Sequence, residues 1–289
     1  MKSTLVSAKT AVKLCVLTCL LFTGCVKPTA VDDLAKMATQ ASQLAPGVMS
    51  IGYDSCVAEA TDAQLAAVRQ FDEHFHIDQT AIDNTCKERK QTVDRLTKTF
   101  QLIVSYIQTL DKLASGGATT YDKSLTTLVG EIPGLDSKQQ PAVTGLAKLV
   151  VDAFEKHWRE RQAAKAIEQA QPHMLVLTKM FEDQIPPFLQ AMLDNETASV
   201  GSLYRQIVAR TPETSPILLT GLYSGHTVLI DRSRAGIEAF RKVVADIQTG
   251  HTALFNNRNK LDALDAMQEL FQTASDVQKQ VAAMQKAFK

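Results

Sequence analysis

Histidine, serine and cysteine are the side chains of this sequence with the most chemical potential, and a few short stretches set them close together. In "EHFHID", His74 and His76 lie beside acids, and Glu73 with His76 makes one Glu-x-x-His. A di-iron bundle needs two such motifs and two further glutamates on facing helices, and no other histidine here follows a glutamate by three residues. A solvated bend is the favoured reading, metal binding the lesser one. In "GLYSGH", Ser224 comes third after Gly221, whereas a hydrolase elbow places its serine second, after a strand. No strand is predicted there, so Gly221, Ser224 and Gly225 read instead as small residues that let two helices approach closely. "GHTVL" at 225–229 returns as "GHTAL" at 250–254, 25 residues on. On one continuous helix His226 and His251 would share a face but stand about 37 Å apart, too far for a common ligand. The only tryptophan, Trp158 in "EKHWRERQ", is either an exposed recognition spot or, with Phe154 four residues before it, part of an apolar stripe. The second reading is favoured. No phosphate-cradling glycine loop or zinc-ligand spacing is present. The sequence thus assigns no catalytic residue, no metal ligand and no cofactor, and an enzyme is the least favoured class.

Three of the five cysteines fall in "KLCVLTCLLFTGC", after a stretch carrying Lys2, Lys9 and Lys13 and no acid. The apolar run is about eleven residues, against roughly 20 needed to span a bilayer. Basic start, short apolar run and the small residues Thr23 and Gly24 are the layout of an export signal. Its ending, "LLFTGC", resembles the lipobox of bacterial lipoproteins, with Phe22 where leucine is usual. That resemblance covers only Met1 to about Val26. It implies that residues 1–24 are a signal peptide removed with Cys15 and Cys19, and that Cys25 carries thioether-linked lipid. It also implies stable membrane anchoring, because two or more acyl chains hold where one binds marginally. Val26 rather than aspartate after the cysteine implies the outer membrane, facing the periplasm or the cell surface, by the sorting preference of enteric lipoproteins.

Cys56 and Cys86 remain, and in an exported protein an even pair reads as a disulfide, the other reading being two buried thiols. A bridge there would make two antiparallel arms reverse near Phe71 and would stabilise the fold by roughly 3–4 kcal/mol in the chain-entropy model.

Removing the three lysines of the signal from 31 basic and 31 acidic residues leaves a net charge of −3. With no basic stripe along the chain, nucleic acid is not the expected partner. The series Ile82, Cys86, Arg89, Val93, Leu96, Phe100, Ile103, Ile107, Leu110, Ala114 steps by four and three, a heptad seam with one polar member. Leu102, Tyr106 and Leu113 widen it, so this helix must be covered on more than one side. It should start near 79–81 and end at "SGG". Met267, Leu270, Ala274, Val277, Val281, Met284 and Phe288 give a second long helix running to the end of the sequence. Between them the sequence predicts a short helix with Tyr121, Leu125 and Leu128 on one side, followed by a "PG" turn. A further helix carries Val143, Ala147, Val150, Phe154 and Trp158, with Pro141 in its first turn. Kinks or breaks are expected at Pro172 and at Pro186 and Pro187, then a loop, "RTPETSP". The stretch "ILLTGLYSGHTVLI" should be helical and largely buried.

The expected fold is all-α, an elongated multi-helix bundle with long antiparallel helices, comprising a tether at 25–35 and one helical domain at 36–289. Long seams without convergent polar groups fit a non-enzymatic lipoprotein that binds a protein partner in the cell envelope. The alternative is a small-molecule binding or sensory bundle with a cavity near "ILLTGLYSGHTVLI", whose ligand-binding residues the sequence does not identify. An enclosed cavity with inward polar groups would favour the second class.

Overall fold

The seam beginning at Ile82 lies on a helix of 36 residues, and its members from Leu96 to Leu110 are buried, together with Leu102, Tyr106 and Leu113. In the computed structural model, which describes residues 30–68, 76–115, 136–156, 162–210, 216–259 and 264–287, the helices in chain order are α1 (Ala30–Ala67), α2 (Gln79–Ala114), α3 (Gln139–Glu155), α4 (Ala163–Lys179), α5 (Ile185–Arg210), α6 (Pro216–Asn256) and α7 (Leu264–Ala287). A π turn, Met180–Gln184, joins α4 to α5. There is no strand among the described residues, and the protein is an all-α multi-helix bundle. No helix among them is long and apolar enough to cross a membrane. Cys25 and the rest of the signal segment lie outside the described residues. So do the bend about Phe71 with His74, the helix expected around Tyr121, Leu125 and Leu128 with its turn, the "GG" cap, Trp158, the centre of "RTPETSP" and Phe288.

Asp78 starts α2 by accepting the Ala81 N–H on its carboxylate at 3.0 Å, which satisfies one of the helix's unbonded first-turn donors. Helices α1 and α2 are antiparallel. Near the turn the Gln64 side chain accepts from Asp78 N at 2.8 Å and donates to Asp78 O at 3.0 Å; at the far end Gln108 donates to Thr39 at 2.9 Å. Between these clasps Cys56 and Cys86 stand 5.8 Å apart at Cα, with their sulfurs at bonding distance. Residues 30–35, expected to belong to a tether, are helical: α1 starts at Ala30 and buries Val31, Leu34 and Ala35.

Helices α4 and α5 with the π turn make one rod, along which α6 runs antiparallel. Gln171 meets His251, Thr178 meets Gln248, Glu196 meets His226 and Asp194 meets Arg234. Neither proline site breaks this rod. Pro172 sits inside α4 on an exposed side, where water can take the carbonyl it leaves unbonded. Pro186 and Pro187 follow the π turn, whose i−5 bonding, Ile185 N–H to Met180 O, absorbs the change in backbone pairing that proline imposes. The core centres on Phe100, Phe181 and Phe240, whose rings lie 5.2–6.1 Å apart, two of the pairs edge to face. It brings α2, the π turn and α6 together in one contiguous apolar cluster.

Helix α3 keeps Val143, Ala147 and Val150 buried and ends at Glu155, with Phe154 exposed and so outside the buried stripe expected there. Gly145 supplies the close approach in this part of the bundle, since a Cβ on it would overlap the His173 imidazole.

Candidate functional site

The apolar stretch expected to be buried is the main exposed one. "ILLTGLYSGHTVLI" is helical, at the start of α6, yet Ile217 is 85% exposed, Leu229 60% and Leu222 54%, with Tyr223 and Val228 also exposed. Successive residues of an α-helix turn by about 100°, so Ile217, Gly221, Ser224 and Val228 follow one outward line. Leu219, His226 and Ile230 point the other way, into the bundle. Only that narrow inward side meets α1 and α5. The stretch is apolar nearly all round, and the described residues provide neighbours for less than half of it. Val208 on α5, 53% exposed, extends the patch.

The close helix approach expected at Gly221 and Gly225 is likewise absent among the described residues: both are exposed, and a Cβ on either would meet none of them within 4 Å. A glycine inside an exposed helix costs about 1 kcal/mol relative to alanine, and no neighbour among the described residues accounts for either one.

Grooves flank this ridge. One of about 400 Å³, between α5 and α6, is lined by Tyr204, Arg205, Val208, Leu219 and Tyr223, the two tyrosine rings standing edge to face at 5.3 Å. The other, about 250 Å³, lies between α1 and α6 and includes Asp54, Ser55, Glu196, Leu229 and Ile230. Both are open to solvent.

Beneath the ridge a polar cluster ties α6 to its supports. Ser55 Oγ donates to Glu196 Oε2 at 2.6 Å, and His226 Nε2 meets Glu196 Oε1 at 2.9 Å. The carboxylate stands between hydroxyl and imidazole. Nucleophilic catalysis requires the imidazole to touch the hydroxyl, so this order fastens three helices and does not activate the serine. Burial pushes the Asp62 carboxyl up, against the hydrogen bond from Ser199 and the nearby His226, and one of its oxygens is buried without a partner among the described residues. Burial also raises Glu59, with Arg89 opposing. Among the described residues no three His, Cys, Asp or Glu side chains are grouped to hold a metal ion. At the tip Arg210 donates to Ala66 O and Val68 O at 3.0 and 2.7 Å, a cation on the last carbonyls of α1.

The residues singled out from sequence are dispersed. His76 is exposed before α2, Ser224 lies on the open ridge, and His226 is in the cluster. His251, on the same helix, is buried in the core, with Nε2 2.9 Å from Tyr106 Oη and Nδ1 2.8 Å from Gln171 Oε1. The Gln171 oxygen can only accept, so Nδ1 carries the proton and Tyr106 donates to Nε2, which satisfies the neutral ring on both sides. Ser55, Asp62 and Glu196 were not identified from sequence, although each carried a signal. Glu196 interrupts Leu189, Leu193, Val200 and Leu203, and Ser55 and Asp62 continue the inward positions Val48 and Ile51 of α1. Comparison of the chain with models of known families, with curated proteins and with solved structures returns no match.

Proposed function

We propose that this protein is a lipid-anchored helical bundle of the bacterial envelope, held through Cys25, most simply in the outer membrane, that acts by binding another protein and not by catalysis. The observation that carries this reading is the apolar ridge of Ile217, Leu222, Val228 and Leu229, left open among the described residues on a bundle whose α2 seam is buried from Leu96 to Leu110. Apolar patches of this extent on soluble domains mark interaction sites. The location of the ridge fits anchoring: α1 starts a few residues after Cys25, and Arg210 holds the far end of α1 about 55 Å away at 1.5 Å per residue. The ridge lies toward that far end and would face away from the membrane.

Cys25→Ser tests the anchor, and should abolish lipid labelling and processing at this site. A phenotype that survives release from the membrane unchanged would remove anchoring from the function, since tethering acts by raising effective concentration beside a partner. A second reading, small-molecule binding, is favoured by one feature, the groove between Tyr204 and Tyr223 with Arg205 at its edge. Tyr223→Ala should then abolish binding of an aromatic or anionic ligand while Leu229→Ala leaves it intact.

A further inference from the structure

The groove between α1 and α6 is chemically one-sided, and we infer that it takes a lysine or arginine side chain from a basic amphipathic segment of a partner protein. This rests on the interaction reading above and names the partner's chemistry. The polar side of the groove presents acceptors. Ser50 Oγ donates to Gly47 O at 3.0 Å, and Ser55 Oγ and His226 Nε2 both donate to the Glu196 carboxylate. What Ser50, Ser55, Glu196 and Asp54 offer an incoming group is therefore lone pairs. Of the side chains lining the groove only the Ser233 hydroxyl is left to donate, and none is a lysine or arginine. A group that satisfies such a lining brings several N–H donors, as an ammonium or guanidinium does. Asp54, exposed at the rim, supplies the opposite charge. Ile51, Leu193, Leu229 and Ile230 make the apolar side, which suits the stem that lysine and arginine bury while their charged heads stay in a polar setting.

Size and setting favour a side chain over a free small molecule. At about 250 Å³ the groove is smaller than the pockets of about 300–1,000 Å³ that enclose drug-sized ligands. Its apolar wall also continues along α6. Leu222 precedes Leu229 by seven residues, so the two stand about 10 Å apart and within about 20° of the same side of the helix, and both are more than half exposed. A segment that seats a cation at Asp54 has there a second, apolar foothold. Charge agrees with a basic partner, because after Lys36 α1 carries Asp54, Glu59 and Asp62 and no further base. Burial raises the carboxyls of Glu59 and Asp62, and the nearby charge of Glu196 adds to both. Arg232, three residues after Leu229, is turned about 60° further outward and stays off the lining.

Two labelled helical peptides of equal length, one of leucine and lysine and one of leucine and glutamate, test this by fluorescence anisotropy on the intact chain in a neutral detergent, with binding to detergent alone subtracted. The expected result is saturable binding of the lysine peptide alone. Asp54→Asn should weaken it about fivefold and Leu229→Ala about tenfold. Asp94→Asn, at an exposed carboxylate on α2 that does not line the groove, should leave it unchanged. All three positions are exposed or on the rim, so helical circular dichroism should not change. The inference is overturned if the lysine peptide does not bind saturably, if the glutamate peptide binds as tightly, or if Asp54→Asn and Leu229→Ala leave binding intact. It is also overturned if Asp94→Asn weakens binding as much as Asp54→Asn, since the attraction would then follow overall charge. Displacement of the lysine peptide by an equal concentration of n-hexylammonium would assign the groove to a small amine and overturn it as well. These outcomes leave the anchored-interaction reading standing, because the Cys25 experiment decides that one.

Discussion

Helix α6 contains nearly the same five residues twice, and the two copies have opposite fates. "GHTVL" at 225–229 lies on an open ridge, its valine and leucine in solvent and its histidine fastened to Glu196 at the edge of a groove. "GHTAL" at 250–254 is buried, its leucine in the core and its histidine enclosed between Tyr106 and Gln171. Local sequence made both stretches helical. Burial was decided by what the rest of the chain places opposite: α2, α4 and α7 pack against the second half of α6, whereas among the described residues the first half has α1 and α5 on one narrow side. The same pentapeptide thus builds core in one place and leaves a surface in the other.

Substituting the two histidines should separate the copies most sharply. His251→Ala removes a fully buried ring and leaves the Tyr106 hydroxyl without its partner, so it should cost about 3–5 kcal/mol in urea unfolding. His226→Ala breaks a partly exposed pair and should cost about 1 kcal/mol or less. Equal costs would mean that the burial contrast has no energetic meaning. Acid is the next lever. Burial lowers the His251 pKa to about 3, while the unfolded imidazole takes its proton near 6.5. The stability held above pH 6.5 should therefore be lost progressively as pH falls toward 3, up to several kcal/mol. That slope should vanish in His251→Ala and persist in His226→Ala.

Asp246, also in the second half of α6, sharpens the contrast with the opposite sign. Burial first, then the nearby Asp276, raises its pKa to about 6, so the folded state holds this proton more tightly and stability falls as pH rises from about 4 through 6. Asp246→Asn should stabilise the protein at pH 8 by about 1 kcal/mol, after discount for screening at a half-exposed site, and have no effect below pH 4. The smallest effect belongs to the ridge. Gly221→Ala should raise folding stability by a few tenths of a kcal/mol to about 1 kcal/mol, because the added methyl would meet nothing within 4 Å among the described residues. A loss of stability would show that this position is packed.

Much of the bundle was legible because period and length agree. The seam from Ile82 set the limits of α2, the three buried members Val277, Val281 and Met284 mark α7, and the spacing of Cys56 and Cys86 gave the α1–α2 hairpin. What could not be read was which apolar residues would find cover. An apolar run looks the same whether it is enclosed or left open, since enclosure depends on other helices, some of them more than a hundred residues away. The polar cluster was hidden for the same reason: Ser55, Glu196 and His226 come from three helices and meet only in the fold. The prolines misled in a different way. Pro172 is tolerated by its exposure, and Pro186 by a turn of unusual pitch whose trace was present as a run of fours, Leu177, Phe181, Ile185, Leu189 and Leu193, longer than a regular helix keeps on one side.

That turn gives the rod a tolerance for the number of residues and not only for their kinds. A π turn holds one residue more than an α turn, so deleting a single position within Met180–Gln184 would restore regular helix and leave α5 on the side of the rod it already occupies. Leu189, Leu193 and Val200 would stay in the core, and Glu196 would still reach Ser55 and His226. A one-codon deletion early in α5, where no turn holds a spare residue, would instead rotate everything after it by about 100°.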